Sequence, residues 1–426
     1  MSKKNTVSIE RRDNFGRNSS KKRLDILQKS ELQFYDESLK EVTLGDICEF
    51  SKGKGILKND LSDEGIPCII YGELYTHYDE IISNIKSKTD LNKDNLVLSS
   101  KYDIIMPDCG ETAIDLANAS CILREDVAIG MDTIILKTKQ NPIFLTYYIR
   151  YKRNEIAKIG QGSSIVHIYP KDLKKIKIKI PTLKKQNKIS NFLVKVNEKI
   201  NLMEQNYSLY VDIKKYFIEN IFHDINEKST DNCLINNVKW KQLKLKDIIK
   251  KGKAGGTPKS SVKKYYDGNI PFLSINDMTK EGKYITYTEK TMSELGLENS
   301  SAWIVPEKSL LYSIYASVGF VSINNIPLAT SQAIFSIIFK DDVDLEFMYY
   351  YLTFYKKYIH RYIETGTQQN LKAETIKNFK IKIPPLEKQE KISKFLSSID
   401  KYIQIYEQDL NNLKKYKKGL LQKMFI

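Results

Sequence analysis

The stretch IKIPPLEKQEKISKFL, Ile381 to Leu396, decides the architecture, because a near copy, IKIPTLKKQNKISNFL, stands at Ile178 to Leu193. Setting Pro181 on Pro384 carries the likeness without a gap from Lys177–Phe222 onto Lys380–Phe425, with roughly 19 of 46 positions identical. The halves also open alike: LGDI at Leu44 to Ile47 answers LKDI at Leu245 to Ile248, and Ile66-Pro67 answers Ile270-Pro271. Between these landmarks they diverge. Each half reads as a variable globular block with a repeated tail.

Each tail begins as a strand. In KIKIKIP, Lys175 to Pro181, charged and β-branched residues alternate, which gives one buried and one wet face. Pro181, and then Pro384-Pro385, stop the strand, since proline is tolerated only at the first turn of the next element. That element is predicted to be a helix. Ile189, Val196, Met203, Tyr210 and Phe217 recur every seven residues, with Leu193, Ile200, Tyr207 and Ile221 between them and Lys214 as an interruption. The second tail repeats the pattern with Ile392, Ile399, Tyr406, Leu413 and Leu420, joined by Leu396, Ile403, Leu410 and Met424, and Lys417 interrupts it at the matching place. Such heptads mark a coiled coil. The matched lysines either fix register or snorkel out of a widening seam.

One such helix cannot bury its own stripe, so the two are expected to bury each other, antiparallel, with one block at each end. Five heptads span roughly 52 Å at about 1.5 Å per residue. Half-sites read from one side of B-DNA lie about 34 Å apart, or a multiple of that. A rod of this size can hold two readers over successive major grooves.

The bulk composition agrees. A chain of 426 residues is too long for one ordinary core, and 41% hydrophobic with 11% aromatic residues favours folded domains. The formal charge of +16 suits a polyanionic partner, nucleic acid or an anionic surface, although a lysine-rich proteome would give the same sign. The start, MSKKNTVSIERRDNFGRNSSKK, lacks the apolar core of a signal peptide. Ser309 to Phe339 contains no charged residue, but Gly319, Asn324, Asn325 and Pro327 break it into buried strands with turns, so no membrane span is expected. Cys48, Cys68, Cys109, Cys121 and Cys233 form no CxxC pair and suit a reducing, cytoplasmic setting.

Chemistry is not evident. An amino-methylation motif of the NPPY or DPPY kind is missing, and Gly252-Lys253-Ala254-Gly255-Gly256 lacks the Walker spacing. Pro107-Asp108 is followed by Glu111-Thr112-Ala113, without the lysine that a PD…(D/E)xK nuclease needs. The histidines His77, His167, His223 and His360 have no metal-ligand spacing. No catalytic, cofactor-binding or metal-binding residue is assigned.

These residues resemble a known family, the specificity (S) subunits of type I restriction–modification systems. PPLEKQEKISKFLSSID with the closing KKGLLQKMF is similar to that family's conserved regions, and GGTPKSSVKKYYDGNIPFLSINDM, Gly255 to Met278, to the opening of its target-recognition domains. GIPCIIYGELYTHY, Gly65 to Tyr78, is the counterpart in the first half, and ELQFYDE, Glu31 to Glu37, resembles the family's link from a tail into the next recognition domain.

The resemblance implies an α+β fold with two α/β target-recognition domains, separated by two long helices packed as an antiparallel coiled coil, with an internal pseudo-twofold repeat. The expected boundaries are 1–30 for a basic, disordered extension, 31–180 and 229–383 for the recognition domains, and 181–228 and 384–426 for the helical regions. Each recognition domain would read one half of an asymmetric bipartite site in double-stranded DNA. The helices would set the spacer and dock two modification (M) subunits, which restriction (R) subunits join. S-adenosylmethionine, ATP and magnesium would then belong to those partners, and this chain would be non-catalytic. A coiled-coil scaffold for proteins, or service to a fused methyltransferase–nuclease, remain the alternatives.

DNA-reading candidates are polar and aromatic residues beside glycine and proline turns. In the first block they are Lys52, Lys54, Tyr71, Glu73, Tyr75 and His77, then Gln161, Ser163, Ser164 and His167. The second block offers Thr257, Lys259, Ser274, Asn276 and Asp277, then Ser313, Tyr315 and Ser317, and Gln368, Gln369 and Asn370. Asn and Gln can bridge adenine N6 and N7, Lys can reach guanine O6 and N7, and carboxylates accept from cytosine N4. Lysines beside such loops also hold phosphates without reading sequence.

Overall fold

The computed structural model describes residues 39–162, 165–223, 240–362 and 370–425. The expected extension over 1–30 and the ELQFYDE link lie outside them. The chain divides into two compact units, one running to Leu202 and resuming at Leu410, the other Met203–Asp409.

In the first unit a five-stranded sheet has the order Cys48–Lys52, Thr133–Thr138, Ile104–Pro107, Ser120–Ile122, Ile81–Ile82. Only the last pair is parallel. A three-stranded sheet sets Ile66–Ile69 between Ser87–Thr89 and Ala128–Ile129. Lys40–Thr43 pairs with Lys177–Ile180, whose residues alternate exposed and buried as the KIKIKIP pattern predicts. Thr133–Thr138 lies second from the sheet edge, and its first four residues are all buried, which a period of two could not produce. Helix Pro142–Tyr151, capped by the Asn141 side chain, drives Phe144, Tyr147 and Tyr148 into the core.

The second unit repeats this plan. Its five-stranded order is Ile249–Ala254, Ile334–Phe339, Leu310–Ser313, Val321–Asn324, Tyr284–Ile285, and its three-stranded sheet is Lys290–Met292, Tyr266–Leu273, Ala329–Thr330. The uncharged stretch Ser309 to Phe339 therefore forms strands and turns. Among the described residues no helix is long and apolar enough to cross a membrane.

The repeat extends to single hydrogen bonds. Buried Gln186 accepts from the Asn141 backbone N–H at 3.0 Å and donates to the Pro181 carbonyl at 2.9 Å. Gln389 does the same with Asp344, at 2.9 Å, and Pro384, at 2.9 Å. Tyr148 accepts from the Lys179 backbone at 3.1 Å and Tyr351 from Lys382 at 3.2 Å. Every pair keeps the offset of Pro181 to Pro384. The glutamine of the repeated motif is thus the clip that holds the start of each long helix to its block.

The helices run Leu183–His223 and Leu386–Met424. Within the first unit Val196, Ile200 and Leu420 are buried together, with Leu410, Leu413 and Met424 against them. Within the second, Tyr210 stacks on Tyr402 at 5.6 Å and Tyr406 at 5.2 Å, and Phe217 meets Phe395 edge-on at 4.8 Å. Numbering rises on one helix as it falls on the other, so the helices pair antiparallel. The remaining expected seam residues, Ile189, Leu193, Met203, Ile392, Leu396 and Ile399, are buried, while Tyr207 and Ile403 are half-buried. The interrupting lysines do not snorkel to water: Lys214 pairs with Asp400 at 2.6 Å and Lys417 with Glu80 at 2.6 Å.

Candidate nucleic-acid interface

In the first block three segments converge on the turn after Ile104–Pro107. Strand Cys48–Lys52 leaves the sheet through Gly53, where a Cβ would sit 2.1 Å from the Gly130 carbonyl, so only glycine lets the backbone pass. Lys52 at the strand end reaches back to Asp108 at 2.6 Å, which raises its pKa. The Asp108 carbonyl accepts from the Ile168 N–H at 2.8 Å, and His167 pairs with Cys109 as a short antiparallel bridge. Gln161 is tied to His167 by two backbone bonds, of 2.9 and 2.7 Å. Tyr71 and Tyr75, 6.3 Å apart, complete the cluster, and burial holds the Tyr75 hydroxyl up to about 12.

The structure thus gathers Lys52, Tyr71, Tyr75, Gln161 and His167 around one turn. Ser163 and Ser164, between the last two, lie outside the described residues. Lys54 is exposed, and so is His77, whose ring contacts Lys86 and Thr76. Asp108, Cys109 and Asp132 bring possible ligand atoms within 4.8 Å of one another. The Lys52 ammonium already balances Asp108, and burial pushes the Cys109 thiol up to about 11, which disfavours the thiolate a metal would need.

The second block builds the same edge from different residues. Gly255 is its close-approach glycine, its virtual Cβ lying 2.0 Å from the Thr330 carbonyl, and Thr257 and Lys259 are exposed just beyond it. Tyr315 and Ser317 project from the turn between Leu310–Ser313 and Val321–Asn324, where Ala316 and Ser317 take positive φ. The Leu371 N–H bonds the Ile314 carbonyl at 3.0 Å, which brings exposed Asn370 beside that turn. Gln368 and Gln369 lie outside the described residues. Asn276 is exposed on its short helix.

Four expected readers are corrected, because their side chains are consumed inside the fold. The buried Glu73 carboxylate accepts from the Ile70 N–H at 3.1 Å and the Ser87 hydroxyl at 2.5 Å. Ser274 and Asp277 cap each other's helix start, the hydroxyl accepting at 3.2 Å and the carboxylate at 3.1 Å. Buried Ser313 donates to the carbonyls of Tyr315 and Ala316. The Ser-x-x-Asp spacing was the available signal for the capping pair.

Two features escaped the sequence reading. Lys250, Lys251 and Lys253 are exposed on the edge strand of the second block, and the Lys251 ammonium lies 4.2 Å from the Trp303 ring centroid. The first block has Glu49, Ser51 and Lys52 on its edge strand, so the two faces differ in charge on a common frame.

A profile described as the type I restriction modification DNA specificity domain matches residues 36–208 and again 237–415. The chain is 24% identical over 424 residues to the type I restriction enzyme MjaVIII specificity subunit of Methanocaldococcus jannaschii, covering 92% of this chain and 96% of that one. It is 32% identical over 192 residues to the MjaIX specificity subunit of the same organism, a match that spans 44% of each chain. Among crystal structures, the type I S subunit from M. genitalium aligns with a TM-score of 0.62 at 16% identity over 92% of this chain and 97% of that one. With that profile matched in both halves and the same fold built twice, the chain belongs to the DNA specificity subunits of type I restriction–modification systems.

Proposed function

We propose that this chain is a non-catalytic DNA reader whose two blocks each recognise one half of an asymmetric bipartite site. The observation that carries the reading is a single fold built twice in one chain with unlike surfaces, because two such readers need a common frame and different side chains. The cluster around Lys52, Tyr71, Tyr75, Gln161 and His167 reads one half-site. The edge with Thr257, Lys259, Tyr315, Ser317 and Asn370 reads the other. The paired helices set the spacer, and their exposed apolar residues, among them Leu209, Tyr216, Tyr402 and Ile405, suit docking of the two modification subunits. Restriction subunits join that core, and S-adenosylmethionine, ATP and magnesium act in the partners.

Duplex binding by the chain with its modification subunits is expected to weaken steeply with salt, with a slope of about −0.9 per neutralised phosphate. Replacing Lys250, Lys251 and Lys253 by glutamine should flatten that slope by about one per lost contact while leaving the preferred sequence unchanged. Titration of labelled duplexes at several salt concentrations reads both. Salt-independent binding, or none, would favour a protein scaffold instead.

A further inference from the structure

Where each block meets its helices, the two units hold an ionic node of the same layout, buried around Glu80 in the first and partly buried in the second, with the charges placed differently. In the first unit Glu80, 7% exposed, lies 2.6 Å from the Lys417 ammonium and accepts from the Asn197 amide at 2.8 Å. In the second, Asp400 lies 2.6 Å from Lys214 and 3.1 Å from Lys283, and also accepts from the Tyr350 hydroxyl. Lys417 and Lys214 correspond, and each lies over a corresponding tyrosine ring, Tyr147 at 5.6 Å and Tyr350 at 5.8 Å. Asn197 corresponds to Asp400 on the helices. Glu80 corresponds to Lys283, since each immediately precedes the parallel end strand and gives its carbonyl to the neighbouring strand, Cys121 at 2.9 Å and Ile323 at 2.8 Å.

The lysine and tyrosine are therefore fixed and the other two positions are exchanged. The first block supplies an acid and its helix a neutral amide; the second block supplies a lysine and its helix the acid. Further charges face each node. Arg150, anchored on the Ala119 and Tyr78 carbonyls, adds a cation to the first, and Glu346, 2.7 Å from Lys283, adds an anion to the second. Burial alone would raise Glu80, but Lys417 and Arg150 outweigh it and hold the carboxyl below its ordinary range. Lys214, Tyr350 and Lys283 do the same for Asp400.

We infer that this exchange is a key that assigns each globular block to its own helix position. An acid block placed on an acid helix sets two acceptor-only carboxylates at hydrogen-bond distance. A lysine block placed on the amide helix brings Lys283 beside Lys417 with Glu346 as its one acid and no helix acid to meet the two ammonium groups. Both sites are largely enclosed, so water relieves either mismatch only in part. The blocks share a fold, yet they are interchangeable only when residue 197 or 400 travels with them. The key concerns assembly of the chain and holds whether or not the blocks read DNA.

A double-mutant cycle in the full chain tests this. Glu80→Lys alone removes the first node's carboxylate, and Asn197→Asp alone adds a second one; each is expected to lower the melting temperature of the first unit by several degrees. Together they restore a lysine–acid pair like that of Lys283 and Asp400, although Arg150 stays and Glu346 has no counterpart, so the double variant should melt above both single variants. If the single variants do not fold, folding of the double variant supports the key equally, and its failure to fold overturns it. Additive losses also overturn it, since coupled partners depart from additivity and independent ones do not.

Discussion

Phe425→Ala is expected to unfold the first unit well before the second, although the residue lies far downstream of that block in sequence. Phe425 is 2% exposed and packs against Tyr148 at 4.7 Å, Phe144 at 5.2 Å and Tyr151 at 5.7 Å, all on the helix that covers the first block's sheet. Truncating so enclosed an aromatic removes its transfer energy and leaves a cavity, together about 3–5 kcal/mol. Phe222 is its counterpart in the second unit, set among Phe347, Tyr351 and Phe354. Hydrogen exchange should therefore show early loss of protection at Thr133–Thr138 in Phe425→Ala, and at Ile334–Phe339 in Phe222→Ala. Equal loss in both sheets from either substitution would show that Phe425 and Phe222 do not each plug a single block.

Lys417→Met should cost nearly as much, for a different reason. It leaves Glu80 buried beside Asn197 without its nearest cation, and breaking one side of a buried pair costs about 3–5 kcal/mol. The direction of the shift sets the sign of the pH dependence. In the native chain the Glu80 pKa is depressed, so its stabilising contribution is present above the ordinary glutamate value of about 4.3 and is lost as pH falls through the lower folded pKa. In the variant the pull of Lys417 is gone, Arg150 and Asn197 alone oppose burial, and the balance moves toward the neutral acid. The deficit should thus be largest at neutral pH and shrink as pH falls toward about 4. Urea midpoints of both proteins at pH 7 and pH 4.5 check this, and a deficit independent of pH would place the cost in lost packing instead.

Much of the architecture was legible because repetition and periodicity are properties of the chain itself. The offset of Pro181 to Pro384 predicts both strands, both helices and their seam, and heptads that no single helix can bury predict an antiparallel partner. The role of Gln186 and Gln389 was not legible, because their partners, Asn141 and Asp344, sit in the divergent parts of the halves. The same holds for Glu80 and Lys283, which become equivalent only once the strands after them are seen in the same sheet position. Among the recognition candidates, turn chemistry picked out residues that the fold gathers at one edge of each block. It could not separate side chains that face outward, such as Tyr315 and Asn276, from those folded back to satisfy the backbone, such as Glu73 and Ser313. That distinction depends on φ and on tertiary donors, which residue type does not encode.

The most direct measurement is a map of adenine methylation made by the chain assembled with its modification subunits, before and after residues 44–175 are exchanged for those of another family member. Two independent half-readers on one frame predict a bipartite motif in which one half changes while the other half and the spacer persist. Methylation with no bipartite motif, or a motif untouched by the exchange, would contradict them.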